Sequence, residues 1–140
     1  MLEMSRRADV FSATRSAFDE RPFSWGTVDC IKVTAFHLRG MGHAVRFGTS
    51  GSYRTALGAS RALARAGHAT LCDAIASVGL IEIPPAACLL GDILVGPGTD
   101  AFEAIGIYVG NEAIYAFHEG TDVMSIGRIL DHGRLRGWRA

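Results

Sequence analysis

Apolar positions recur at helical spacing through the first half of the chain and give way to short β-branched and aromatic runs in the second. Across residues 5–21, Val10, Ala13, Ala17 and Phe18 form one helical stripe that Phe11 extends, and Pro22 ends it. A second helix is expected over residues 28–41, with Ile31, Ala35 and Leu38 on one face. Asp29 or Thr27 is placed to cap its start, and Gly40 and Gly42 close it. The loop containing Gly48, Ser50, Gly51 and Ser52 leads to a third helix over residues 53–66, with Ser52 as cap and Gly67 as terminator. Thr70-x-x-Asp73 has the form of a capping box and starts a short fourth helix that Gly79 stops.

The second half reads as strands. Ile81-Glu82-Ile83 runs into Pro84-Pro85, which excludes a central strand there because proline cannot donate to a ladder. Strands are expected over residues 91–95, 104–109 and 113–117, the last two joined by a turn at Gly110-Asn111, with further strands over 123–126 and 135–138. Helices first and strands second predict an α+β fold with N-terminal helices packed on a small antiparallel sheet. Residues 1–140 read as a single domain without repeat or linker.

Composition adds exclusions. Fourteen basic residues balance fourteen acidic ones, so net charge supplies no general reason to bind nucleic acid or an anionic membrane. No apolar run is long enough to span a bilayer, and the arginines near the N-terminus are not followed by a hydrophobic signal region. Cys30, Cys72 and Cys88 form no CxxC pair and fit free thiols in a reducing compartment.

Cys30 is the candidate with chemistry. A thiol at a helix start faces unpaired N–H groups and the positive end of the helix dipole, which predicts a stabilised thiolate. The alternative is a small apolar residue packed under the helix, since free cysteine is among the most buried residue types. His37 lies two turns beyond Cys30 on the same helix, too far along the axis to act as its base. His43 and His68 follow helix ends. His118 and His132 reach Cys30 only if the fold brings them there. The cysteines and histidines lack the close paired spacing of structural zinc sites, so no metal or other cofactor is expected. Arg54, Arg61 and Arg65 read as a solvated helix face, and Asp100 and Glu103 receive no role.

Three pieces resemble the NlpC/P60-type cysteine peptidases: Phe23-Ser24-Trp25-Gly26 running into Asp29-Cys30, then Gly91-Asp92-Ile93, then Ala104-Ile105-Gly106-Ile107-Tyr108-Val109-Gly110. With Tyr53-Arg54, Ala59, Ala62-Leu63, Gly67 and Trp138, the pattern is also similar to uncharacterised NlpC-like proteins encoded in phage and prophage tail gene modules. The resemblance implies a papain-like fold, a nucleophile at Cys30, a base on the Gly-Ile-Tyr strand and an orienting residue on the next. It further implies a virion tail protein made in the host cytoplasm, with other tail or baseplate proteins and peptidoglycan as partners. The base position holds Ala104 and the orienting position falls near Tyr115, so neither expected partner is a histidine. His118 is the remaining candidate base. The expectation is therefore a structural tail-tip or tail-assembly module without a complete catalytic set, the alternative being an active peptidase or amidase that cleaves peptidoglycan stem peptides.

Overall fold

The computed structural model describes residues 2–47, 53–98, 103–118 and 120–140. Its first element, α1 (Leu2–Phe18), has Glu3 in the first turn and Arg15 in the last, both favourable to the helix dipole. The stripe it buries is not purely apolar: Arg7, Thr14 and Phe18 are its buried residues, while Ala13 is exposed. Two polar side chains thus occupy helical positions on the core side, and each is held by specific partners.

Three more helices follow. In α2 (Cys30–Gly40), Asp29 is the N-cap, and Ile31, Ala35 and Leu38 are buried as their spacing predicts. α3 (Ala56–Arg65) is capped by Thr55, whose side chain accepts from Gly58 N. The proposed cap Ser52 lies outside the described residues, and Tyr53, expected in the helix, precedes it as a core residue. The Thr70 cap of α4 (Leu71–Ser77) accepts from Asp73 N at 3.0 Å, as the capping pattern predicts. Gly79 follows with φ +93°, a conformation that glycine adopts without strain.

The strands are β1 (Ile81–Ile83), β2 (Ile93–Gly96), β3 (Ala104–Gly110), β4 (Ala113–Phe117), β5 (Met124–Arg128) and β6 (Arg136–Arg139). They form one sheet in the order β1-β6-β2-β3-β4-β5, and every pairing is antiparallel. β1 sits at an edge, where Pro84 costs no ladder bond. The tight turn between β3 and β4 is Asn111-Glu112, both with positive φ, one residue beyond the expected Gly110-Asn111.

Alternation along β3 and β4 sorts the two faces of the sheet. Ile105, Ile107 and Tyr115 join Ile31, Leu38 and Leu71 in one core on the helix side. Gly106, Ile114 and Ala116 lie on the other face, where a side chain at position 106 would clash with Ile114 at 2.7 Å. The fold is therefore α+β, with helices layered on one face of an antiparallel sheet.

Candidate functional site

The stretch before α2 folds back on itself. Ser24 and Val28 exchange backbone hydrogen bonds at 2.8 Å around a turn in which Gly26 has φ +89°. Asp29 fixes this turn to the helix. Its Oδ2 accepts from Gly26 N at 2.8 Å and from the Tyr53 hydroxyl at 2.9 Å, and its Oδ1 accepts from Lys32 N at 2.9 Å. The carboxylate is fully buried yet has three donors, the condition under which a buried charge is tolerated. Tyr53 is in turn held protonated, its hydroxyl pushed well above the ordinary phenol range by burial and by Asp29. Together these groups place Cys30 at the first residue of α2.

The chemistry of that cysteine departs from expectation. Its thiol is pushed up to about 12, first by burial and then by the neighbouring Asp29 carboxylate. The backbone N–H groups of Ile31 and Cys30 act in the opposite direction and are outweighed. A helix start favours a thiolate only where solvent or a cation completes its stabilisation, and here the cap itself brings an anion beside the sulfur. Cys30 is therefore a neutral thiol at neutral pH.

A cavity of about 240 Å³ opens beside it, lined by Cys30, Ala104, Gly106, Phe117 and His118 among others. Phe23 also lines it and packs edge-on against Trp25 at 4.8 Å and Phe117 at 4.9 Å. The residue matching the base position, Ala104, thus faces the same space as the cysteine. His118 reaches the cavity from the end of β4, but its Nε2 lies 3.2 Å from Ile114 O. Its ring also rests on Gly127, where a Cβ would come within 2.6 Å of it. With Ile114 and Ala116, His118 belongs to the sheet face away from the helices, whereas Cys30 packs against the helix-side core. One cavity brings the two together, and no hydrogen bond joins them among the described residues.

Other candidates have structural partners. Tyr115, at the orienting position, is fully buried, donates to Asp19 Oδ1 at 2.6 Å and packs edge-on against Phe11 at 5.4 Å. His37 bridges three elements: Nε2 donates to Gly91 O at 2.8 Å, so the Thr14 hydroxyl at 3.2 Å faces the acceptor Nδ1. Burial lowers its pKa, which fits a neutral ring. His43 is likewise lowered, first by burial and then by the Arg6 charge. His132 stands 3.9 Å from Glu112 at the surface.

Two carboxylates hold the scaffold, Glu103, which the sequence left without a role, and Asp92 of the Gly-Asp motif. Glu103 accepts from Leu71 N at 2.7 Å and from Cys72 Sγ at 3.4 Å, tying the residue before β3 to the start of α4. Asp100 lies outside the described residues. Asp92 of the Gly-Asp pair is fully buried and accepts from Arg7 Nη1 at 2.9 Å, Leu89 N at 2.8 Å and Ala140 N at 2.9 Å. Arg139 Nη1 adds a contact at 3.2 Å. The Gly-Asp before β2 is the sequence signal for this node, whereas the burial of Arg7 shows only in the folded chain. Among the described residues, no three of His, Cys, Asp and Glu are gathered to hold a metal ion. No described helix is long and apolar enough to cross a membrane.

Helices on one sheet face, a capped cysteine at a helix start and a facing Gly-Ile-Tyr strand define an NlpC/P60-type fold. A solved structure agrees: the P60 domain of an antigen from M. avium paratuberculosis aligns with a TM-score of 0.52 at 19% identity, covering 99% of this chain and 96% of that one. RipD from Mycobacterium tuberculosis, described as a non-catalytic NlpC/p60 domain protein adapted to a peptidoglycan-binding function, aligns with a TM-score of 0.49 at 19% identity, over 96% of this chain and 97% of that one. The chain belongs to the family described as Domain of unknown function (DUF6950), whose model matches residues 5–132. No curated protein matches it.

Proposed function

We propose that this chain is a structural and binding module of a phage or prophage tail tip or tail assembly, built on an NlpC/P60-type fold and lacking peptidase chemistry. The observation that carries the loss of chemistry is the state of Cys30, a thiol pushed up to about 12 that shares its cavity with Ala104. Peptide cleavage by a cysteine needs a thiolate to attack the carbonyl and an imidazolium to protonate the leaving amine. Removing the base from such a unit costs about four to six orders of magnitude in rate. The tail setting is supported by the sequence pattern that runs from Trp25-Gly26 to Trp138. Other tail or baseplate proteins are the partners this reading names, and the virion tail is the location. The test is genetic and biochemical together. Deleting the gene is expected to abolish tail assembly, Cys30→Ser is expected to leave it intact, and purified protein is expected to release no peptide from peptidoglycan. Normal tails after deletion would refute the tail role.

One observation favours a second reading. Cys30 and His118 line the same cavity, as an active peptidase or amidase acting on stem peptides would require. In that case the ring leaves Ile114 O and takes the Cys30 proton. Peptidoglycan cleavage lost in both Cys30→Ala and His118→Ala would establish this reading and overturn the first.

A further inference from the structure

We infer that the cavity beside Cys30 is a socket for one uncharged aromatic side chain presented by a partner protein. That role rests on the reading of this chain as a binding module without peptidase chemistry, and it names what the module takes. Glycine at positions 96 and 106 lets Leu135 and Ile114 lie against β2 and β3 as aliphatic walls. A Cβ at these positions would come within 2.6 Å of Leu135 and 2.7 Å of Ile114. Phe23 and Phe117 form the aromatic wall, their ring centroids 4.9 Å apart and their planes nearly perpendicular. Ala104 contributes only a methyl group, so the space between the walls stays open.

Charge selects the guest. Among the described residues no Lys, Arg, Asp or Glu lines the cavity, and its polar side chains are Cys30 and His118. The thiol is neutral at neutral pH, and His118 Nε2 already lies 3.2 Å from Ile114 O. The Asp29 carboxylate beside the thiol is buried and satisfied by three donors. A guest carrying a carboxylate or an ammonium group would lose its hydration here without gaining a counter-ion. An apolar ring has no such loss, and it can extend the edge-on packing of Phe23 with Trp25 and Phe117.

Size selects its source. The space measures about 240 Å³. A dry apolar cavity of about 150 Å³ holds benzene, whereas sites for free small molecules span about 300 to 1,000 Å³. A volume between the two fits the single or fused ring of one side chain. Aromatic anchors seated in such pockets carry much of the binding energy of protein interfaces. Among the described residues Phe36 is the exposed aromatic of this chain, and its ring is packed edge-on against Phe18 at 5.4 Å. A separate protein is therefore the occupant.

The test titrates the full chain with a capped peptide, Gly-Ser-Trp-Ser-Gly, and with versions carrying Ala or Glu in place of Trp. Binding is read from amide NMR shifts and from the rate of Cys30 alkylation at pH 9. The Trp peptide is expected to shift the amides of residues 104, 106 and 117 and to slow alkylation, and the Ala and Glu peptides to do neither. Ala104→Leu, which fills the socket from an exposed position, is expected to weaken the Trp peptide by about tenfold or more. Leu130→Ser, an exposed change outside the cavity, is expected to bind as the parent does. Equal effects of the Ala peptide, tighter binding of the Glu peptide, undiminished binding by Ala104→Leu, or self-association that Ala104→Leu abolishes would each overturn the socket. Peptide release from peptidoglycan, assayed in parallel, separates the two levels. Release that Cys30→Ala abolishes would overturn the reading of the chain as non-catalytic and the socket with it. No release and no Trp-peptide binding would overturn the socket alone.

Discussion

Asp29 does more at this site than the cysteine it precedes. Its two oxygens collect the Gly26 N–H, the Lys32 N–H and the Tyr53 hydroxyl, so one side chain closes the turn, caps α2 and anchors the approach to α3. Asp29→Ala leaves buried donors without an acceptor and removes the cap, an expected loss of about 3 kcal/mol in urea denaturation. Tyr53→Phe removes one of the three donors and is expected to cost about 1 kcal/mol. Equal losses in the two variants would contradict a shared-acceptor role. The same carboxylate raises the Cys30 thiol, so Asp29→Asn is expected to lower the thiol's pKa even though it perturbs the cap.

At the scale of elements, the N-terminal helix is held by a buried ion pair. Arg7 is 3% exposed and spans Asp92, Leu90 O and Ala140 O, joining α1 to the segment before β2 and to the residue after β6. Arg7→Ala strands a buried carboxylate and is expected to cost about 3 to 5 kcal/mol. Arg136→Ala breaks the exposed pair with Glu82 and is expected to cost less than about 1 kcal/mol. Chemical denaturation of the two variants checks the ranking, and comparable losses would contradict it. This node also shows what the sequence could disclose. Helical spacing and caps located α2 and α4 closely, because Ile31, Ala35, Leu38 and Thr70 act through local geometry. The Arg7–Asp92 and Leu71–Glu103 contacts join residues far apart in the chain, and periodicity says nothing about such pairings. The burial of Arg7 and Thr14 in the α1 stripe was illegible for the same reason: their partners come from other elements. At the site, Cys30 was legible from its place at a helix start, Ala104 and Tyr115 only through the motif resemblance, and the raised thiol was not. A helix start alone predicts the opposite sign, and only the folded cap reveals the anion beside the sulfur.

For the whole molecule, protonation should bound stability on both sides of neutrality. The Cys30 thiol is pushed up to about 12 and the Cys72 and Cys88 thiols to about 11, all from an ordinary value of 9.0. A raised folded-state value means that the unfolded chain loses these protons first. Stability is then complete below about pH 9 and falls as pH rises, by up to about 1.4 kcal/mol per pH unit for each thiol. His37 has the opposite bearing: burial lowers its pKa from 6.5, so its contribution is present above that pH and is lost as pH falls below it. Thermal melts across pH should show a plateau between about 6.5 and 9 with losses on either side, and an alkaline limb without decline would contradict the buried-thiol assignment. The NlpC/P60-type fold thus sets Cys30 at the start of α2 and holds it as a neutral side chain. The pH dependence of Cys30 alkylation by iodoacetamide, with the modified residue identified by mass spectrometry, tests this claim most directly. The account predicts slow reaction at pH 7 and a rate that climbs about tenfold per pH unit without levelling off below about pH 10. A fast reaction that levels off at or below about pH 7 would reveal an activated thiolate and contradict it.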